Sequence, residues 1–171
     1  MIIILEGENK TGKTTLANYI KENFDFDYIK CSQPKGNPFD EYNNILDNIK
    51  EHTIIDRFHW GELVYGPIYR GKSGISESQF NELEKKIEDL GAIIIYCYDN
   101  ANNIKKRFIE EKEEFATTNN IEKVLKLYNE VYKISILNKY KHKIKGQMDL
   151  ILNKKINKII KKNLICLNQT I

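Results

Sequence analysis

Eight consecutive residues, Gly7-Glu8-Asn9-Lys10-Thr11-Gly12-Lys13-Thr14, have the types and spacing that hold a phosphate chain. They fit G-x-x-x-x-G-K-[ST] at every fixed position. The glycines let backbone N–H groups curl around phosphate oxygens with no Cβ in the way. Lys13 reaches the β- and γ-phosphates, and the Thr14 hydroxyl can ligate Mg²⁺. Thr15 carries the loop into a helix whose positive dipole end faces the anion. Residues 7–15 are therefore the expected ATP site, with Mg²⁺ as its companion.

A second chemical landmark is Asp56-Arg57. An acid at the end of a strand can hold the Mg²⁺ shell beside Thr14, as phosphoryl transfer requires. The neighbouring arginine has a planar fork suited to bidentate capture of a second phosphate. A switch or motor needs a water opposite the triphosphate, whereas a kinase needs an acceptor.

These groups need a scaffold. Ile2-Ile3-Ile4-Leu5 reads as a buried strand, followed by a helix over 15–22. A strand over 27–31 leads into the proline loop Ser32-Gln33-Pro34, then a helix over 39–50. The next strand, 52–56, ends in Asp56. Residues 58–69 read as a helix broken near Gly66-Pro67. Ser76 is a candidate N-cap for a helix over 77–90 that Gly91 closes. A strand over 92–98, a charged helix over 100–114, a polar loop over 116–120 and a helix over 121–137 follow. For the last strand two placements stay open. One is 164–167, preceded by a helix over 148–162. The other is 142–144, with the later helix terminal. The lysine-rich run 139–145 reads as a solvated stretch.

Strands alternating with helices imply parallel pairing through right-handed crossovers. The fold class is α/β: one domain over 1–171, a three-layer α/β/α arrangement around a parallel sheet of about five strands. In such sheets ligands bind at the C-terminal strand edge. That edge collects Gly7 to Thr14, Ser32-Gln33-Pro34, Asp56-Arg57 and Asp99.

Bulk properties fit this scaffold. With 171 residues and 41% hydrophobic content the chain can build a real core. A net charge of +3 suits polyanionic small molecules and is too weak to call for nucleic acid. Cys31, Cys97 and Cys166 lack the spacing of a zinc site or disulfide framework and read as small buried hydrophobes. Met1 leads directly into the first strand and no apolar run is long enough to span a membrane. A cytoplasmic protein without a membrane segment is expected.

The chain resembles the thymidylate kinase branch of the nucleoside monophosphate kinases, as a divergent, viral-type member. The resemblance lies in the phosphate loop, the proline loop after the second strand, and Asp56-Arg57-Phe58-His59-Trp60-Gly61-Glu62-Leu63-Val64-Tyr65-Gly66. That stretch aligns with D-R-[YFH]-x-x-S-x-x-A-Y-Q. The resemblance implies a P-loop kinase fold with a lid at about 100–120. It also implies ATP- and Mg²⁺-dependent conversion of a deoxynucleoside monophosphate, dTMP or a related or modified deoxypyrimidine, to the diphosphate. Asp56 would serve the Mg²⁺ shell, Arg57 would grip the acceptor phosphate, and Tyr65 would pack under the sugar and disfavour a 2′-hydroxyl. Gln33-Pro34 aligns with the acceptor loop. Lys10 falls where some members place a cation in the loop; others supply it from the lid, where Arg107 is the best placed. Lys10, Lys13, Asp56, Arg57 and Arg107 are thus the expected catalytic set. Phe39, Tyr42, Phe58 and Trp60 could wall the base, and Arg70 is a further acceptor contact. Gly61 and Gly66 depart from the family's Ser and Gln. No arginine lies between Pro34 and Asp56 to read thymine. A homodimer through the helices next to Asp56 would fit the resemblance.

Three other functions compete. A deoxynucleoside kinase acts on a neutral 5′-hydroxyl and benefits from a carboxylate base, where this chain has Gln33. A kinase of a modified DNA base is conceivable from the basic C-terminal half. A non-catalytic nucleotide-binding protein would leave Asp56, Arg57 and the lid cations without a task.

Overall fold

The computed structural model describes residues 1–111, 118–143, 154 and 156–162. Among the described residues five strands form one parallel sheet: β1 (Ile2–Glu6), β2 (Asp27–Lys30), β3 (Thr53–Asp56), β4 (Ile93–Tyr98) and β5 (Asn138–Lys143). Their spatial order is β2-β3-β1-β4-β5, so β1 sits at the centre. Six α-helices connect them: α1 (Lys13–Phe24), α2 (Pro38–Asp47), α3 (Trp60–Tyr65), α4 (Glu77–Asp89), α5 (Ala101–Glu110) and α6 (Ile121–Ile134).

The central strands are apolar along their whole length because both faces are covered. Alternate residues divide between two cores. Ile2, Ile4, Ile55, Ile94 and Tyr96 join the packing of α2, α3, α4 and α6. Ile3, Leu5, Ile54, Ile93, Ile95 and Cys97 face α1 and the helical residues 156–162, whose Ile156, Ile159 and Ile160 are buried there. Period-2 alternation thus puts helices on both sides, and the three-layer α/β/α expectation stands.

Local chemistry sets the helix ends. Ser76 caps α4 in a capping box with Gln79. Asn37 accepts from Phe39 N before Pro38 opens α2. Asn100 caps α5 by accepting from Asn103 N.

Three expectations change. The chain does not break at Gly66-Pro67. It continues from α3 as a π-helical turn over Gly66–Arg70, ended by Gly71 at φ 75°. Proline lacks an N–H, so the helix widens rather than keeping its i→i−4 ladder. The described part of the lysine run is a strand and not a loose stretch, although Lys141 stays exposed: Asn138–Lys143 is edge strand β5, paired with β4 from Ile93↔Asn138 to Tyr98↔Lys143. Lys139 and Lys141 lay their ammonium groups 5.1 and 4.7 Å from the Tyr132 ring centroid. Alternating lysines therefore cover aromatic rings and charge a sheet edge. The last described strand overlaps the 142–144 placement but begins earlier; 164–167 lies outside the described residues, as does Cys166.

Candidate active site

The loop after β1 is built for close approach. Gly7 has φ 138°, and a Cβ there would stand 2.0 Å from the Cys97 carbonyl oxygen of β4. Gly12 at φ 81° turns the chain into α1, so Lys13 and Thr14 occupy its first turn. Thr11 Oγ1 closes the loop by donating to the Glu8 carbonyl at 2.6 Å. Lys13 Nζ donates to the carbonyls of Gly7 and Glu8 at 2.9 and 2.7 Å. An ammonium has three donors, so one remains for a phosphate oxygen. Burial, then the charge of Arg57, lowers the Lys13 pKa to about 8.

A cavity of about 590 Å³ opens above the loop. Asn9, Lys10, Gly12, Lys13, Thr14, Thr15, Asp56, Arg57 and Arg107 line it, joined by Lys30, Cys31, Ser32 and Glu111. The side chains of Glu8 and Thr11 do not line it, because both are fully buried.

At its floor Thr14 Oγ1 is 3.5 Å from Asp56 Oδ2, which also accepts from Tyr28 OH at 2.8 Å. Asp56 Oδ1 is buried with no partner among the described residues. A hydroxyl beside an unsatisfied carboxylate oxygen is a donor set that fits Mg²⁺, which takes few protein ligands and completes its shell with phosphates and water. Tyr28 carried no motif and was invisible in the sequence.

The two expected cations are tethered. Lys10, at φ 59°, pairs with Glu111. Arg107 donates to the Lys10 carbonyl at 2.7 Å and pairs with the buried Asp99. Burial works against ionisation of Asp99, but hydrogen bonds from Asn103 and the Asn100 N–H and the charge of Arg107 hold its pKa below the ordinary value. Arg107 thus braces the loop while still lining the cavity. Residues 112–117 of the expected lid lie outside the described residues.

A second cavity of about 440 Å³ adjoins the first. Both are lined by Asn9, Cys31, Ser32 and Arg57. Arg57 has φ 67°, a left-handed conformation uncommon for a side-chain-bearing residue. It places the guanidinium 5.4 Å from the Tyr65 ring centroid and in a hydrogen bond to Asn9 Oδ1. The Tyr65 hydroxyl donates to Glu8 Oε1 at 3.2 Å. Gln33, Pro34, Tyr42, Phe58, Tyr65 and Arg70 also line this cavity.

Two expected acceptor contacts are not brought to the cavity. Trp60 is fully buried, and its Nε1 donates to Glu84 at 3.1 Å. Its ring packs edge-on to Tyr132. It is a core residue because Glu84 offers the one partner an indole needs. Phe39, in the first turn of α2, packs half-buried against the core. Glu62, which the sequence did not single out, lies in the cavity and pairs with Arg70.

A five-stranded parallel sheet in this order, with a phosphate loop after its central strand, is the fold of the P-loop kinases. Deoxyadenosine kinase from M. mycoides shares it at TM-score 0.57 and 16% identity over 100% of both chains. Thymidylate kinase from Candida albicans does so at TM-score 0.57 and 15% identity over 95% of this chain and 91% of that one. Within that class the chain belongs to the YorR family. It is 31% identical over 145 residues to the SPbeta prophage-derived uncharacterized protein YorR of Bacillus subtilis, covering 81% of this chain and 86% of that one. The crystal structure of YorR in complex with phosphorylated GDP superposes at TM-score 0.80 with 28% identity, over 94% of this chain and 96% of that one. No protein-family model matches the chain. Among the described residues no helix is long and apolar enough to cross a membrane.

Proposed function

We propose that the protein is a deoxynucleoside monophosphate kinase that moves the γ-phosphoryl group of ATP to an acceptor phosphate. The observation that carries this reading is the junction of two cavities at Asn9, Cys31, Ser32 and Arg57. A triphosphate on the loop and a monophosphate in the second cavity would meet beside the Arg57 guanidinium. Relatedness to a protein crystallised with a guanine nucleotide supports nucleotide binding.

The roles follow from position. Backbone N–H groups of the loop and Lys13 hold the triphosphate. Thr14 and Asp56 would hold Mg²⁺, which when bound neutralises charge on the β- and γ-oxygens. Arg57 grips the acceptor phosphate and keeps it in line. Lys10, fixed by Glu111 and the Arg107 brace, sets positive charge beside the transferred group. A phosphate acceptor is already ionised, so no general base is needed, and none of the residues at the junction has to move a proton. Positioning and charge neutralisation supply the rate.

Tyr65, anchored through Glu8, packs where the sugar would lie and favours a 2′-deoxy acceptor. The resemblance of the Asp56-to-Tyr65 stretch favours dTMP or a related deoxypyrimidine, but α2 offers no arginine to read thymine. The base is therefore to be sought in the far wall of the cavity. ATP and nucleoside monophosphates are cytoplasmic pools, and nucleotide biosynthesis there is the proposed setting.

ADP release with ATP and Mg²⁺, measured over deoxynucleoside monophosphates and the matching nucleosides, tests the reading. Turnover with monophosphates supports it. Turnover with nucleosides alone replaces it by a 5′-hydroxyl kinase.

A further inference from the structure

The far end of the acceptor cavity holds a charged pair that phosphoryl transfer does not use. Glu62, on α3, is buried, with its side chain 5% exposed. Its Oε2 accepts from Arg70 of the π-turn and from the Gly74 N–H at 3.2 Å. Among the described residues its Oε1 has only the Tyr42 hydroxyl, at 3.5 Å, the outer limit of a hydrogen bond. A buried carboxylate oxygen this poorly served has room for more donors.

The chain is shaped to keep that pair in place. A Cβ at Gly74 would stand 2.4 Å from Glu62 Oε2, and one at Gly66 would stand 2.7 Å from the Lys72 carbonyl and 3.1 Å from Arg70 Nη2. Small residues at both points let the segment after the π-turn close onto Glu62 and Arg70. Aromatic faces flank the space, with Tyr65 and Tyr69 stacked at 26°.

Orientation follows from the lining. Arg57 lies at the junction with the loop cavity, whereas Glu62 and Arg70 line only the second one. A monophosphate whose phosphate lies on Arg57 therefore extends its base toward Glu62. The edge met there is an acceptor-only carboxylate beside a donor-only guanidinium. Guanine matches it: N1–H and the 2-amino group are adjacent donors, and O6 and N7 are acceptors next to them. Thymine offers one imino donor between two carbonyls, which the carboxylate repels. Adenine and cytosine offer one amino group next to ring-nitrogen acceptors.

We propose that Glu62 and Arg70 form a guanine-reading site, so that the acceptor is dGMP or a guanine-containing analogue. The role of dGMP as acceptor rests on the kinase reading, whereas base recognition is separately measurable.

The test is equilibrium binding of dGMP, dIMP, dAMP, dCMP and dTMP to the full chain and to Glu62→Gln, alongside transfer from ATP to each. dGMP should bind about tenfold or more tighter than any other, and dIMP, which lacks only the 2-amino group, should lose about tenfold. Glu62→Gln should collapse the dGMP-to-dIMP ratio toward one and, by replacing the repelling carboxylate with an amide donor, should strengthen dTMP binding rather than weaken it. A merely structural Glu62 would weaken all five equally, which would overturn the proposal. So would tightest binding of any base other than guanine in the wild-type protein, a measurement that does not depend on the variant folding. Selective dGMP binding without transfer would leave the base assignment standing and remove the kinase reading. Transfer to dTMP in preference to dGMP would do the reverse.

Discussion

Thr14 on the first turn of α1 and Asp56 at the end of β3 bring their side-chain oxygens to 3.5 Å across adjacent strands. Parallel pairing of Leu5 with Asp56 makes this meeting unavoidable, because the loop leaves β1 at the same level at which β3 ends. Tyr28, from the next strand out, fixes the carboxylate through Oδ2, and Oδ1 has no partner among the described residues. Asp56→Asn should lower kcat by about 100-fold and raise the Mg²⁺ concentration needed for half-maximal turnover. Tyr28→Phe frees the carboxylate to rotate and should raise the Mg²⁺ requirement with a smaller loss of kcat. A Mg²⁺ titration of ADP release checks both.

Arg107 spans the Lys10 carbonyl and the buried Asp99. Removing it takes the ion-pair partner from Asp99 Oδ2, while Asn100, Asn103 and Lys143 at 3.7 Å stay on Oδ1. Arg107→Ala should cost about 2 kcal/mol of stability. The double variant with Asp99→Asn should recover most of that stability and little of the lost ATP affinity. Urea unfolding and ATP binding of the three proteins decide this. An Arg107→Ala protein of wild-type stability that has lost turnover about 1000-fold would make Arg107 a contact of the transferred group.

The Lys13 pKa, lowered to about 8 from 10.5, gives a pH signature. Between those values the unfolded chain holds a proton that the folded protein has released. Stability without nucleotide therefore rises as pH climbs through this window. Triphosphate binding needs the ammonium, so its affinity should fall by about tenfold per pH unit above pH 8 and binding should take up a proton. Calorimetry in buffers of different ionisation enthalpy measures that proton. Lys13→Met should abolish both the uptake and the pH dependence.

Glu84 of α4 ties three elements together. It accepts from His59 at 2.7 Å, Trp60 Nε1 at 3.1 Å, Ser135 Oγ at 2.7 Å and the Ile136 N–H at 2.8 Å. Glu84→Ala should destabilise the protein by about 3 kcal/mol, because three buried donors and the part-buried Ile136 N–H lose their partner. Trp60→Phe loses one of these bonds and about half as much. Acceptor KM should be nearly unchanged in Trp60→Phe, since the indole lies outside the acceptor cavity. Unfolding curves and acceptor kinetics of the two variants are the measurements.

The elements that position the chemistry were legible because their signals are local. An apolar β-branched run, a glycine loop and a helical spacing identify β1, the phosphate loop and α1 from sequence neighbours alone. The acid that ends β3 was equally plain. What the sequence concealed depends on tertiary partners. Trp60 looks like a wall for a base until Glu84, 24 positions later, is seen to satisfy its indole. Lys139 and Lys141 read as a plain solvated run, and only the fold shows the Tyr132 ring beneath them. Arg107 looks like a free lid cation until Asp99 holds it. Glu62 carries no motif, and only the turn that brings Arg70 and Gly74 back upon it marks it as part of the cavity. Gly66 and Gly74, one a departure from the resembled pattern and the other outside it, were the available hint that the chain closes tightly there.

The central claim is that two phosphorylated nucleotides meet at Arg57. Phosphorus NMR of the protein with ATP, Mg²⁺ and a deoxynucleoside monophosphate follows the transfer directly. The account predicts that the monophosphate resonance is replaced by the paired resonances of a diphosphate as ADP accumulates in equal amount, and that Arg57→Ala slows this while retaining ATP binding. Release of inorganic phosphate with the monophosphate unchanged, or transfer that Arg57→Ala leaves at the wild-type rate, would contradict it.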